Sequence, residues 1–318
     1  MPPVSPVYAE QRAIRRDSNF VGFILIALLA AQYVVALGWQ IAGSMGVLNT
    51  RFTDNTTYMV FNIVTYLLYM AVPVLLVALV TRRRQNPFPT RRVSAGNYAV
   101  ALFGGMAMAV AANYVTSFIM GILVELGVPY PQFPETQSGT PVSLVLNIIA
   151  TAVLPALTEE MVMRGYVLGA LRRYGDKLAI VLSALFFGLV HGNVLQLPFA
   201  FLLGLVLGWL VVQTDSIWPA VLLHFGNNIM SVLLDYVEVA VGDSTMATVL
   251  TFLVLCVLGL SVLAAAFLSN KKRGEDLLRP VWNGGSSLSV SQRVTGILTA
   301  PALIVGVCVW IATLILTM

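Results

Sequence analysis

The chain is organised as a series of long apolar runs separated by short polar segments. The runs last roughly 17–25 residues and do not alternate apolar with polar positions, which favours helices over strands. Because backbone polar groups in hydrocarbon must be satisfied within the chain, such runs predict membrane-spanning helices. The pattern predicts nine candidate spans, with these bounds: 20–43, 58–81, 97–124, 142–171, 178–194, 197–213, 217–236, 246–269 and 297–317.

Composition also indicates that lipid is the solvent. Of the 318 residues, 58% are hydrophobic and only 10% are charged, and the mean hydropathy is +0.86. A soluble domain carries about a quarter charged residues. We therefore expect an all-α polytopic membrane protein with about eight or nine transmembrane helices. The two cysteines, Cys256 and Cys308, lie in apolar runs, which argues against a disulfide framework or a Cys-ligated zinc site.

The basic residues predict the orientation. If the spans alternate in direction from a cytoplasmic N-terminus, 16 of the 18 basic residues fall on the cytoplasmic side or in its loops. This bias is the positive-inside pattern, so we expect a multi-pass protein of the plasma membrane with a cytoplasmic N-terminus. The basic clusters are short and border apolar runs, which predicts contact with membrane lipids and argues against nucleic acid as a partner. The turn 213–216 has no Lys or Arg, and we expect it to be buried in protein below the headgroup level.

The span 142–171 contains three charged residues in the segment LPALTEEMVMRG. Each central charge costs about 2.5–3.5 kcal/mol even on the lower insertion scale, so each needs an explanation. Glu160 and Arg164 are four residues apart and are predicted to form a helical ion pair. Glu159 lies about 100° away around the helix and has no such partner, which makes it a candidate general base.

The only two histidines, His191 and His224, both lie in predicted spans. Glu159 lies 16 residues before Gly175 and His191 lies 16 residues after it, so an antiparallel hairpin places both at the same depth. His224 reaches that depth only if the turn near residue 215 is sunken. Asn228 follows His224 by four residues and is therefore expected on the same helix face.

These residues together resemble a known family. EExxxR (Glu159, Glu160, Arg164), FxxxH (Phe187 to His191) and HxxxN (His224 to Asn228) look like the three motifs of the CPBP family. This family contains the CAAX prenyl proteases and bacteriocin-processing membrane proteins and is also called the ABI family. The resemblance covers residues 97–236, with the motifs in 142–236, and implies a CAAX-protease-like helical core. The remaining segments are then a cytoplasmic tail (1–19), two N-terminal spans with a basic loop (20–96), a further span (246–269), a cytoplasmic linker (270–296) and a C-terminal span (297–318).

The resemblance implies an intramembrane endopeptidase that acts on a membrane-associated or lipidated peptide or protein. By analogy, Glu159 with His191 activates a water, His224 with Asn228 stabilises the oxyanion, and Glu160 with Arg164 supports the site. We favour a mechanism that requires no cofactor. The alternative is a zinc ion held by Glu159, His191 and His224, although the HExxH signature is absent.

Two other functional classes fit the same pattern. A non-catalytic scaffold or bacteriocin-immunity protein can use the same fold, because fold alone does not guarantee activity. A proton-coupled transporter also keeps ionisable residues in its spans, but we find no internal repeat of the kind such carriers show.

Overall fold

The architecture is a bundle of helices. A computed structural model describes residues 6–46, 55–80, 88–127, 140–192, 194–241, 245–273 and 286–317. In this part of the chain, helices are the only regular elements apart from one isolated β-bridge between Thr90 and Ser216. We number the helices in chain order: α1 (Pro6–Ser44), α2 (Asn55–Val80), α3 (Ala95–Glu125), α4 (Pro141–Tyr174), α5 (Asp176–Val190), α6 (Leu197–Thr214), α7 (Trp218–Val241), α8 (Thr245–Arg273), α9 (Val290–Leu298) and α10 (Pro301–Thr317).

The prediction of an all-α polytopic membrane protein is confirmed. Among the described residues, seven helices are long and apolar enough to cross a membrane, and the bent pair α9–α10 makes up to eight. The predicted span 178–194 is wrong in its bounds, because α5 has only 15 residues and ends at Val190. This helix is not among those long enough to cross a membrane. It ends there because Gly192 takes a positive φ of 64°, which stops the helix. Most of α5 is buried by other helices, so it is a core element of the bundle.

The predicted span 297–317 is also different in the structure. α9 begins at Val290, where Ser289 and Gln292 form a capping box, and the chain then bends by 61° into α10. The predicted linker 270–296 is therefore partly helical, with residues 274–285 lying outside the described part. α10 packs on α1 with very close backbones, since a Cβ added to Gly22 would lie 2.4 Å from the carbonyl carbon of Ala302.

One end of the bundle gathers basic residues from separate helices. The carboxylate of Asp17 on α1 is buried and accepts from Arg173 (2.9 Å) and from the Tyr174 hydroxyl (3.0 Å) at the end of α4. Arg293 on α9 donates to the main-chain oxygen of Tyr174. We call this end, which carries Arg172, Arg173 and Arg293, the basic face.

Several basic residues counted in the orientation argument lie outside the described residues: Arg51, Arg82, Arg83, Arg84 and Arg279.

The turn between α6 and α7 is buried only in part. Of the predicted turn 213–216, Ser216 is buried, whereas the Asp215 side chain is 47% exposed. The segment 88–91 contacts this turn, because Ile217 N–H donates to Pro89 O (2.9 Å) and Arg91 N–H donates to Asp215 O (3.1 Å). The turn carries no basic residue of its own, and Arg172 reaches Asp215 from α4 instead (2.8 Å). That the turn lies below the headgroup level therefore stays a prediction.

Candidate active site

Helix α4 carries the paired glutamates between two widened turns. Residues Ile148–Val153 and Met161–Val167 are π-helical, and the α-helical stretch Leu154–Glu160 lies between them. Such turns rotate the following side chains relative to a regular helix and are frequent at functional sites. Glu159 and Glu160 are 9% and 0% exposed, so both carboxylates lie inside the bundle.

The predicted ion pair between Glu160 and Arg164 is present and fully buried. Arg164 Nη1 lies 3.1 Å from Glu160 Oε1, and neither side chain is exposed. The guanidinium also donates from Nη2 to the main-chain oxygen of Gly204 (3.1 Å). Gly204 also lies where α6 packs closely on α5, since a Cβ there would lie 2.9 Å from Ala184 Cα. The pair thus neutralises two charges and ties α4 to α6.

Glu160 also holds His224, which the sequence did not indicate. The Nδ1 atom of His224 lies 3.0 Å from Glu160 Oε1. Because an ionised carboxylate only accepts hydrogen bonds, Nδ1 carries the proton in this contact. The opposite ring atom, Nε2, then lies 3.9 Å from Glu159 Oε2. That separation is too long for a hydrogen bond and leaves space for a bridging water.

His191 follows the last residue of α5, and a main-chain oxygen orients its ring. Its Nδ1 lies 2.7 Å from the main-chain oxygen of Phe187, so Nδ1 donates and Nε2 is an acceptor. The Phe187 ring contacts both imidazoles edge-on, at 5.0 Å from His191 and 5.6 Å from His224. The Phe187 ring therefore packs against both histidines. The 3.9 Å approach to Glu159 comes from His224, whereas the hairpin arithmetic had favoured His191.

Asn228 lies one turn after His224 on α7, and its amide is fixed by two contacts. Its Nδ2 donates to the main-chain oxygen of Thr151 (3.0 Å), and its Oδ1 accepts from Asn227 Nδ2 (3.1 Å). Because Nδ2 carries two hydrogens, the second N–H can donate into the adjacent space. Asn227 therefore helps to fix the amide of Asn228.

Tyr66 on α2 was missed by the sequence analysis. Its hydroxyl donates to Glu159 Oε1 (2.9 Å) and lies 2.8 Å from Thr158 Oγ1. A tyrosine in an apolar run has no spacing relation to a glutamate 93 residues later, so no sequence signal marks this contact. Glu159 is therefore not a carboxylate without partners.

One cavity brings the four predicted site residues together. It has a volume of about 350 Å³, and Glu159, His191, His224 and Asn228 all line it. Gln196, which directly precedes α6, also lines the cavity. The cavity therefore lies near the C-terminal end of α5, and the basic face lies near the N-terminal end of that helix. The other residues that line it include Thr151, Pro155, Phe187, Phe199, Ala200, Leu203 and Ser231.

Both histidines that could hold a zinc ion have their Nδ1 atoms engaged. In the described part of the chain, no three His, Cys, Asp or Glu side chains are grouped as metal ligands. Nδ1 of His224 faces Glu160 and Nδ1 of His191 faces the Phe187 carbonyl, so both imidazoles keep Nε2 for another partner. Such contacts orient an imidazole towards a water or towards a metal alike, and the metal-free mechanism therefore stays a prediction.

Comparison with known proteins agrees with the motifs. Residues 141–230 match the family model described as type II CAAX prenyl endopeptidase Rce1-like. The matched segment begins with α4 and ends within α7, and it includes all the motif residues from Glu159 to Asn228. No curated protein and no solved structure gives a significant match to the chain. The segment that holds most of the cavity residues thus matches an Rce1-like model within a polytopic membrane protein, which agrees with the resemblance to the CPBP family.

Proposed function

We propose that the chain is an intramembrane endopeptidase in which Glu159 activates a water to hydrolyse a peptide bond of a membrane-associated or lipidated substrate. The observation that carries the proposal is the convergence of Glu159, His191, His224 and Asn228 on one cavity inside the helix bundle. A buried carboxylate, two imidazoles and an amide are the groups that acid–base hydrolysis of an amide needs.

The geometry supports a specific place for the water. A water between Glu159 Oε2 and His224 Nε2 spans the 3.9 Å gap and can donate one hydrogen to each atom. Glu159 takes one proton as the oxygen attacks the substrate carbonyl, and it returns that proton to the leaving amine. His224 keeps its Nε2 directed at the water because Glu160 holds Nδ1. His191 contributes a second Nε2 acceptor from the cavity wall.

Asn228 is the proposed donor to the oxyanion. As the carbonyl carbon becomes tetrahedral, negative charge develops on its oxygen, and a preorganised N–H donor stabilises that charge. The bond to Thr151 fixes the amide plane of Asn228, which lines the cavity, and we assign its second N–H to the oxyanion. Removal of one such donor typically lowers kcat by about 10²–10³-fold. If His224 gains a proton during the reaction, its Nε2–H adds a second donor.

The reaction in this proposal uses no metal. Glu159 is engaged by Tyr66 at one oxygen and faces His224 with the other, so Oε2 is the oxygen that we assign as the base. The protein residues alone supply the base, the orientation of the water and the oxyanion donor. Each of these tasks is assigned to a residue that lines the cavity.

The basic face also suggests the orientation of the site. We place this face, with the N-terminus, at the cytoplasmic side of a plasma membrane, in line with the positive-inside rule. Arg172 and Arg173 precede the first residue of α5, whereas His191 follows its last residue and lines the cavity. The cavity and the basic face therefore lie at opposite ends of α5. Substrate would then enter from the outer half of the membrane.

The experiment uses the purified chain in proteoliposomes with an internally quenched C-a-a-X peptide, farnesylated or without lipid. We expect the wild-type chain to cleave at least one probe at an internal peptide bond, with the new termini identified by mass spectrometry. Glu159→Gln at equal incorporation should give no such product. Cleavage that persists in Glu159→Gln removes Glu159 as the base. Binding of the probes without cleavage by the wild-type chain would favour the non-catalytic scaffold.

A further inference from the structure

The helix α2 contributes to the candidate site although it lies outside the matched segment 141–230. Tyr66 on α2 is 9% exposed, and its hydroxyl lies between Glu159 Oε1 (2.9 Å) and Thr158 Oγ1 (2.8 Å). Thr158 in turn bonds to the main-chain oxygen of Leu154 (2.8 Å). We propose that Tyr66 is a positioning residue, whose hydroxyl holds Glu159 Oε1 so that Oε2 faces the water. This inference rests on the proposed function, because it assumes that Glu159 is the base.

The two oxygens of Glu159 have different surroundings, and this difference supports the assignment. Oε1 is taken by the Tyr66 hydroxyl, whereas Oε2 is the atom that lies 3.9 Å from His224 Nε2. A carboxylate that is free to rotate also takes orientations in which neither oxygen faces His224. A hydrogen bond to one oxygen disfavours those orientations, since rotation away from the bonded plane breaks it. Tyr66 therefore holds the carboxylate in the orientation whose second oxygen faces the water.

The hydroxyl network can serve both protonation states of the base. The Tyr66 and Thr158 hydroxyls supply two protons for three contacts, namely those to Glu159, between the two hydroxyls, and to Leu154 O. When Glu159 is ionised, Tyr66 must donate to it, because the carboxylate only accepts. When Glu159 holds the proton from water on Oε2, Oε1 remains an acceptor and Tyr66 goes on donating to it. The Tyr66 contact is therefore kept in both protonation states without movement of a heavy atom.

Packing keeps the Tyr66 ring in place independently of its hydroxyl. The ring belongs to the buried core and packs edge-on against Tyr69, with ring centroids 5.3 Å apart and planes at 71°. Replacement by phenylalanine therefore removes the hydroxyl and preserves the ring contacts. Tyr69 is a matched control, since it is a neighbouring tyrosine on the same helix and packs against the same core.

The test compares Tyr66→Phe, Tyr69→Phe, Thr158→Val and Glu159→Gln in the same proteoliposomes with the farnesylated C-a-a-X probe. For Tyr66→Phe we expect kcat to fall about tenfold or more, the loss typical of a hydrogen bond to a charged group, with KM within twofold of wild type. Tyr69→Phe should retain the wild-type kcat. Thr158→Val should lower kcat by a smaller factor, and its combination with Tyr66→Phe should cost no more than Tyr66→Phe alone, because Thr158 acts through Tyr66.

Each outcome decides the proposal. A kcat of Tyr66→Phe within twofold of Tyr69→Phe, or a rise in KM with unchanged kcat, overturns the positioning role while Glu159→Gln remains inactive and the proposed function stands. If Glu159→Gln is active, the proposed function and this inference fail together. If Tyr66→Phe does not assemble, Thr158→Val carries the test, and a wild-type kcat in that variant overturns the inference.

A second measurement does not depend on a substrate. The carboxylate stretching bands of Glu159 are assigned by infrared difference spectroscopy between the wild-type chain and Glu159→Gln. We expect these bands to shift in Tyr66→Phe and to stay in place in Tyr69→Phe, because the Tyr66 hydroxyl donates to this carboxylate and Tyr69 packs against the Tyr66 ring. Unshifted bands in a folded Tyr66→Phe chain contradict the proposal.

Discussion

Glu160 is the residue whose replacement best separates stability from chemistry. Its Oε1 receives both Arg164 Nη1 (3.1 Å) and His224 Nδ1 (3.0 Å), and its side chain is completely buried. Glu160→Gln removes the charge but not the volume, so it leaves the Arg164 guanidinium buried without its counter-charge. Breaking a buried pair in this way costs about 3–5 kcal/mol of unfolding free energy. The change is large relative to the total stability of a typical domain, about 5–15 kcal/mol.

The assay is unfolding by sodium dodecyl sulfate in mixed micelles, followed by circular dichroism. Glu125→Gln is the matched control, because it makes the same chemical change at an exposed position at the end of α3. We expect the control to unfold with the wild-type chain and Glu160→Gln to unfold at a clearly lower mole fraction of detergent. Equal unfolding of Glu160→Gln and wild type would refute the argument that the pair is a stability element.

The double variant Glu160→Leu with Arg164→Met tests the second role of Glu160. Removal of both charges is often neutral or stabilising, so most of the lost stability should return. Hydrolysis should not return, because His224 has lost the acceptor that fixes its Nδ1 proton and its orientation. Loss of tautomer control in a carboxylate–imidazole pair lowers kcat by up to about 10⁴-fold. Wild-type hydrolysis by a stable double variant would show that Glu160 does not orient His224.

Four further outcomes are expected. Asn228→Ala should lower kcat by about 10²–10³-fold while leaving unfolding nearly unchanged, as measured by probe cleavage and detergent titration. Gly22→Leu should destabilise the chain by about 1–3 kcal/mol or more, because its side chain meets the α10 backbone at 2.4 Å, whereas Gly38→Leu, with open space around it, should not. Hydrolysis should survive stringent chelation, with no zinc found by elemental analysis; loss of activity that zinc alone restores would contradict the metal-free mechanism. In a chain without its native cysteines, Gln196→Cys should react with an impermeant maleimide added outside intact cells, and protection there with reaction only after lysis would reverse the orientation.

The sequence predicted the local parts of the site better than the crossings between helices. The Glu160–Arg164 pair could be predicted because both residues lie on one helix at a spacing of four. The turn at 213–216 was predicted only in part, because its lack of basic residues does not reveal that Arg172 pairs with Asp215 from another helix. The bonds of His224 to Glu160 and of Tyr66 to Glu159 join different helices, 64 and 93 residues apart, and depend on how those helices cross. Hydrophobic periodicity carries no information on such crossings.

The errors in the predicted spans have a similar origin. The run 178–194 is apolar enough to continue, but Gly192 takes a positive φ and ends α5 early. Apolar composition alone does not register this backbone conformation. The bend before α10 likewise follows from the chain near Pro301, where α9 ends and a second helix begins at 61°. Composition therefore located the helices, and backbone detail determined their ends.

The most direct test of the account is the single-turnover rate of Glu159→Gln relative to wild type, measured with the same probe in the same proteoliposomes. The substitution keeps the shape of the side chain and an oxygen for the Tyr66 hydroxyl, so unfolding should be close to wild type. We predict that the rate of peptide-bond hydrolysis falls by at least about 10²–10⁴-fold, the contribution of a general base. A folded Glu159→Gln chain that hydrolyses the probe within a few-fold of the wild-type rate would contradict the central claim.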